Sequence, residues 1–189
     1  MGKKEELEKI AEEISACQKC SLSISRTKTV PGYGDPEAEV LFIGEAPGKK
    51  EDESGLPFCG AAGKFLDEML LSIGLDREKV FIANTLKCRP PENRDPSDEE
   101  KALCRPFLDA QVGTLKPKLI VCMGKHSVAN FMPDAGGISQ LHGKAVTRPN
   151  GQIYLALYHP AAALHNGGLR QTLKDDFAKI PEILEKISG

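Results

Sequence analysis

Residues 38–48 read AEVLFIGEAPG, an unbroken apolar run from Val40 to Ile43 that ends in a loop of glycine and proline. A strand with one wet face alternates apolar and polar residues, whereas a continuous run is buried on both faces, as in a parallel sheet covered by helices. Three further stretches repeat the pattern: KVFIANT at 79–85, PKLIVCMG at 117–124 and QIYLALYHP at 152–160. Between them lie segments of helical period. Phe65, Leu66, Met69, Leu70 and Ile73 share one face of GKFLDEMLLSIG, and Gly74 stops it. DPSDEEKALCRPFLDAQVG at 95–113 carries Ser97 and Glu100 at capping-box spacing. A short helix is expected over 125–131, and a last one over 169–187 that is interrupted near Pro181. Leu7, Ile10, Ala11 and Ile14 give residues 4–15 an amphipathic helix. Strands alternating with helices predict an α/β fold: a three-layer α/β/α sandwich around a central, mostly parallel four-stranded sheet. The chain of 189 residues is long enough for one core, so a single domain over 1–189 is expected.

The apolar runs are too short to cross a bilayer. The opening MGKKEELEKIAEEI has no apolar signal core, so a cytoplasmic location and no membrane contact are expected. A net charge of −2 argues against an indiscriminate coat on nucleic acid. Positive charge is local instead: Lys49 with Lys50, then Lys87, Arg89 and Arg94, then Lys144 with Arg148. Each cluster taken alone fits a solvated surface.

In open parallel sheets, ligands bind outside the carboxyl ends of the strands. Three polar groups fall at such ends: GEAPG at 44–48, Asn84 and His159. The loop GEAPG fits a purely structural turn as well as it fits a nest of N–H donors for an oxygen or anion. The nucleotide motifs fail, since GAAGKF at 60–65 lacks the following Ser or Thr of a P-loop and a strand just before it. Phe58 lies in the polar loop ESGLPFCGAAG, where an aromatic serves as a packing plug or as a stacking surface. No Ser/His/Asp nucleophile set is evident. A stacking aromatic, an amide, a tight turn and an imidazole suit recognition of a nucleobase and of a planar anion as it leaves. His126, His142 and His165 have no comparable setting.

Six cysteines in such a chain point to metal or redox use rather than a disulfide frame. Cys17 and Cys20 form a C-x-x-C pair, and Cys88 and Cys104 follow far downstream in polar loops. The spacing suits a structural zinc or an iron–sulfur cluster. The missing second C-x-x-C and the long RPPENRDP loop lean toward the larger inorganic core. Cys122 lies inside an apolar run and reads as core, and Cys59 reads as a small buried side chain.

Four stretches together, GEAPGKKED, GLPFCGAAGKFLDEML, FIANTLKCRPPENRDPSDEE and YHPAAAL, closely resemble the family 4 uracil-DNA glycosylases, which contain iron and sulfur. The resemblance runs from Cys17 to the last helix. It implies hydrolytic removal of uracil from single- or double-stranded DNA, leaving an abasic site. It implies a 4Fe–4S cluster on Cys17, Cys20, Cys88 and Cys104. It further implies that Gly44, Glu45 and Ala46 line the uracil pocket, that Phe58 stacks on the base, that Asn84 reads its edge and that His159 contacts its O2. Glu51 aligns with a carboxylate that fills the space of thymine's methyl, and Leu164 lies in a loop that enters the DNA stack. His159 and Glu45 are the catalytic candidates, Glu45 as the nearest carboxylate for water. The chain departs from the family at Cys59, where Val is common, and at His165, where Arg is common. The subgroup that becomes trapped on DNA has an inserted basic loop absent here, so a monofunctional enzyme that turns over, as a monomer, is expected. Contact with a replication clamp is left open. The rival readings are an iron–sulfur electron carrier and a zinc-stabilised nucleic-acid-binding module.

Overall fold

The computed structural model describes residues 2–189. Strands β1 (Tyr33–Gly34), β2 (Val40–Gly44), β3 (Phe81–Asn84), β4 (Leu119–Met123), β5 (Ala145–Thr147) and β6 (Ile153–Leu157) form one sheet in the order β1-β3-β2-β4-β6-β5. The central four are parallel, and they are the four apolar runs of the sequence. The expected count of four is therefore corrected to six by antiparallel edge strands β1 and β5. These edges run two and three residues and are mostly exposed, so no apolar run announces them.

Helices α1 (Lys3–Ser15), α2 (Leu22–Ser25), α3 (Lys49–Ser54), α4 (Ala61–Ser72) and α5 (Asp98–Leu115) precede β4. After it come α6 (Lys125–Phe131), α7 (Ile138–Leu141), α8 (Pro160–His165), α9 (Gly168–Phe177) and α10 (Ile180–Ser188). The last expected helix is thus two, and Pro181 sits in the first turn of the second, where its missing N–H costs nothing. The capping box of α5 forms as read: Ser97 Oγ accepts from Glu100 N at 3.1 Å, and Glu100 Oε2 accepts from Ser97 N at 2.9 Å.

Pleating sends Leu41 and Ile43 to one face of the sheet and Val40 and Phe42 to the other. The first face packs against Leu7, Ile10 and Ile14 of α1 and Phe107 and Leu108 of α5. The second packs against Phe65, Leu66 and Met69 of α4 and Leu173 and Phe177 of α9, with Phe42 stacked on Phe177 at 5.7 Å. Each such side chain contributes roughly 1.5–3 kcal/mol on burial. Two dry layers thus clamp the strands, and their carboxyl ends lie in register along one edge.

The chain leaves β2 for β3 on one side and then crosses to β4 on the other. The strand order reverses there, and such a switch point opens a crevice at the carboxyl ends. Gly44, Asn84, Gly124 and His159 stand at that edge.

Candidate active site

A cavity of about 180 Å³ at this edge is lined by Ala46, Gly48, Glu51, Phe58, Ala62, Asn84, His159 and Ala161. Residues from four stretches of the sequence, 46–51, 58–62, 84 and 159–161, meet in it. Gly44 does not line it but packs behind two residues that do, since a side chain there would collide with Asn84 Oδ1 and the Phe58 ring.

Phe58 is held in a left-handed conformation, φ 51°, which is costly for a residue with a side chain. Arg77 holds it there. Its Nη1 donates to the Pro57 carbonyl at 2.8 Å, its Nη2 donates to the Phe58 carbonyl, and its Nε donates to Asp67 Oδ1. The Phe58 ring faces His159 with centroids 5.5 Å apart. No third ring fits between them, so the two form adjoining walls.

Asn84 is buried, and its Oδ1 has no hydrogen-bond partner among the described residues. A buried amide oxygen left unpaired costs about 1–3 kcal/mol, which a donor on a ligand would recover. The Asn84 backbone carbonyl is anchored from behind by Lys87 Nζ at 2.9 Å, and the same ammonium donates to Gln111 Oε1 at 2.6 Å. Lys87 is therefore fully buried and is no phosphate contact, contrary to its place among the surface clusters. Burial holds its pKa down at about 8.

His159 caps α8, its Nδ1 accepting from Ala161 N–H at 3.1 Å. That bond leaves the proton of the neutral ring on Nε2, available to donate. Burial pushes the imidazole down to about 4, with Glu51 opposing, so the ring is neutral near pH 7. Glu51 accepts from Cys59 N at 2.9 Å and Gly60 N at 3.0 Å, which fixes its carboxylate at the cavity wall. Leu164 on α8 is exposed, as a residue entering a base stack must be.

Glu45 does not line this cavity, in contrast to the expectation for it. Its side chain turns toward α6, where His126 Nε2 lies 3.5 Å from its Oε2 and 3.2 Å from Asp95 Oδ2. Burial raises the Glu45 carboxyl above the usual range; His126 opposes this and Asp95 adds to it. Sequence reading missed His126. The available signal was its place just past Gly124 at the end of β4, the same strand-end rule that selected Asn84 and His159.

Cys17, Cys20, Cys88 and Cys104 line one apolar cavity with Ile14, Leu22, Leu86 and Phe107, so three distant segments of the chain converge. All are free thiols. No three of their sulfurs lie within 4.8 Å of one another among the described residues. Four thiolates around one cavity are the donor set of either a structural zinc or an iron–sulfur cluster. Arg26 Nη1 donates to Cys88 Sγ at 3.2 Å and Lys87 N–H points at Cys104 Sγ at 3.4 Å, the kind of donors that stabilise cluster thiolates. Cys122 is buried in the core, and Cys59 lies beside Ser54, so neither belongs to this set.

No helix among the described residues is long and apolar enough to cross a membrane. The model of the uracil DNA glycosylase superfamily matches residues 31–184. A type-4 uracil-DNA glycosylase of Sulfurisphaera tokodaii is 48% identical over 94% of this chain and 84% of its own length. That of Archaeoglobus fulgidus is 45% identical, covering 96% and 95% of the two chains. That of Thermotoga maritima is 35% identical over 97% of each.

Proposed function

The chain belongs to the uracil-DNA glycosylase superfamily and to its type-4 branch, and from that premise we propose that it excises uracil from DNA by hydrolysis and leaves an abasic site. It does so as a monofunctional monomer acting on single- or double-stranded DNA, with a 4Fe–4S cluster on Cys17, Cys20, Cys88 and Cys104. The observation that carries the reading is the unpaired, buried Oδ1 of Asn84 in a cavity of about 180 Å³. That volume falls below the ~300–1,000 Å³ of drug-sized pockets and suits one single-ring base.

Uracil offers an N3–H donor for Asn84 Oδ1 and an O4 acceptor for the amide N–H. Cytosine presents the reverse pair, an N4–H donor and an N3 acceptor, so it is rejected when the Asn84 amide is held with Oδ1 toward the N3 position. Glu51, fixed by two backbone N–H groups at the cavity wall, is the group that would exclude the methyl of thymine. The base must leave the duplex to reach these groups, at a cost of a few kcal/mol that is least for mispaired or single-stranded uracil.

Breaking the C1′–N1 bond leaves a sugar of oxocarbenium character and a uracil anion. The neutral His159 donates Nε2–H to O2 as charge develops there, with no proton to lose first. A preorganised donor of this kind is worth about a hundredfold or more in rate. Phe58, clamped by Arg77, supplies the stacking face. When bound, the cluster would cross-link the segment around Cys17 to the loops after β3 and into α5; no chemical step runs through it. Leu164 fills the space in the stack that the extruded base vacates.

The test is an oligonucleotide with one uracil, incubated with the protein and then cleaved with alkali. Strand scission at the uracil, with free uracil released, is expected. Intact DNA would overturn the reading, in favour of a redox carrier if the protein shows a reversible couple or of a binding module if it retains zinc.

A further inference from the structure

The base cavity accounts for Phe58, Asn84, His159 and Glu51, but not for Glu45. Its carboxylate lies outside that cavity, one residue past Gly44, in the crevice between the ends of β2 and β4. A base seated on Asn84 leaves its sugar outside the cavity mouth. A carboxylate in the crevice is therefore placed for the sugar or an attacking water rather than for the base.

Glu45 does not stand alone. Oxygens of Glu45 and Asp95 and a nitrogen of His126 lie within 4.8 Å of one another. Two carboxylates at that distance repel, and the group between them is the imidazole: Nε2 is 3.2 Å from Asp95 Oδ2 and 3.5 Å from Glu45 Oε2. Nε2 is buried and has no hydrogen bond of its own, so it is free to donate to Glu45 when that carboxylate turns toward it. Lys125 Nζ holds the other flank of Asp95 at 3.2 Å, and Lys101, which also faces the group, is paired with Asp98 at 2.7 Å. The same three ligand types could grip a divalent cation, but the lysine on Asp95 already supplies positive charge there.

We propose that His126 is a positioning residue for catalysis, fixing the Glu45 carboxylate toward the water that attacks the sugar. The proposal rests on the glycosylase reading above. In the step, the C1′–N1 bond breaks and its electron pair leaves with uracil, stabilised at O2. The water oxygen bonds to C1′ and its proton passes to Glu45. His126, backed by Asp95, keeps that carboxylate in one orientation and ionised before the step.

The experiment compares wild type, His126→Ala, His126→Gln, Glu45→Gln and the double variant His126→Ala/Glu45→Gln, each checked for unchanged cluster absorbance. Single-turnover excision and affinity for DNA with a non-cleavable uracil analogue are measured from pH 5 to 9. His126→Ala should slow excision about ten- to a hundredfold with affinity unchanged, less than the about hundred- to ten-thousandfold that a general base itself contributes. Its acidic limb should move to higher pH, because burial and Asp95 then act on Glu45 without the opposing imidazole. In the Glu45→Gln background the same change should cost less than about twofold, since residues acting through one another are not additive. If His126→Ala fails to fold, His126→Gln carries the same comparison. An unshifted profile, or losses that multiply with Glu45→Gln, would overturn the positioning role while leaving uracil excision intact. A rate that EDTA abolishes and Mg²⁺ or Zn²⁺ restores, only while His126 is present, would overturn it in favour of a cation site. A wild type that leaves uracil DNA intact removes the underlying reading and this proposal together.

Discussion

The ammonium of Lys87 is sealed in the protein interior with its Nζ 2.9 Å from the backbone carbonyl of Asn84. It faces no carboxylate, only that carbonyl and the side chain of Gln111. One residue on, Cys88 enters the cysteine-lined cavity. Lys87 therefore spans from the cluster loop to the base-reading residue. Replacing it with Met keeps the shape and strands two buried acceptors, at about 1–3 kcal/mol each. Urea unfolding of Lys87→Met should report a loss of about 2–6 kcal/mol, and single-turnover excision should slow because Asn84 loses its anchor. A variant as stable and as fast as wild type would show that the link carries nothing.

Metal analysis tests the thiols. Protein purified without oxygen should be brown and hold about four irons per chain. Changing Cys17, Cys20, Cys88 or Cys104 to Ser should lose iron. Cys59→Ser and Cys122→Ala should keep it, because those two lie outside the shared cavity. Stoichiometric zinc without iron would refute the cluster.

Much of this was legible in the residues. Continuous apolar runs named the four parallel strands because burial on both faces leaves no room for polar alternation. Their ends then located Asn84 and His159. Three things escaped. The edge strands β1 and β5 are too short to carry a pattern. Lys87 read as a surface cation, because nothing local distinguishes a lysine that reaches Gln111, 24 positions away, from one in water. The direction of the Glu45 side chain depends on His126 and Asp95, brought together only by the crossover from β3 to β4.

His159 gives a pH test with a definite sign. Burial holds its folded pKa near 4, below the unfolded value of 6.5. The unfolded chain then binds more protons between those limits, so stability falls as pH drops from about 6.5 to about 4 and is unaffected above. His159→Ala should remove that part of the acid sensitivity. It should also slow cleavage about a hundredfold or more while sparing affinity for a non-cleavable analogue, since the donor acts on charge that appears only in the transition state. NMR of the ring should show neutral imidazole with the proton on Nε2 at pH 6. An imidazole that titrates near 6.5, or equal losses in cleavage and binding, would leave His159 a mere DNA contact.

Asn84 supports the sharpest test of specificity, because its buried Oδ1 waits for a donor while its amide N–H must find an acceptor. Asn84→Asp turns that N–H into a second acceptor. Ionised, the new side chain repels uracil O4 but can accept from the amine of cytosine, a pairing that carboxylates make with that base. Burial raises the pKa of such a carboxyl, and its protonated form again offers one donor. Excision from U:G oligonucleotides should fall about a hundredfold or more at pH 8 and recover in part toward pH 5, where the acid again donates to O4. Weak excision from C:G should appear, because either form of the new side chain keeps an acceptor for the cytosine amine. Rates on both substrates at both pH values decide it. Full uracil activity in Asn84→Asp at pH 8, or no recovery of it toward pH 5 together with no excision from C:G, would mean that Asn84 is not the group that reads the base.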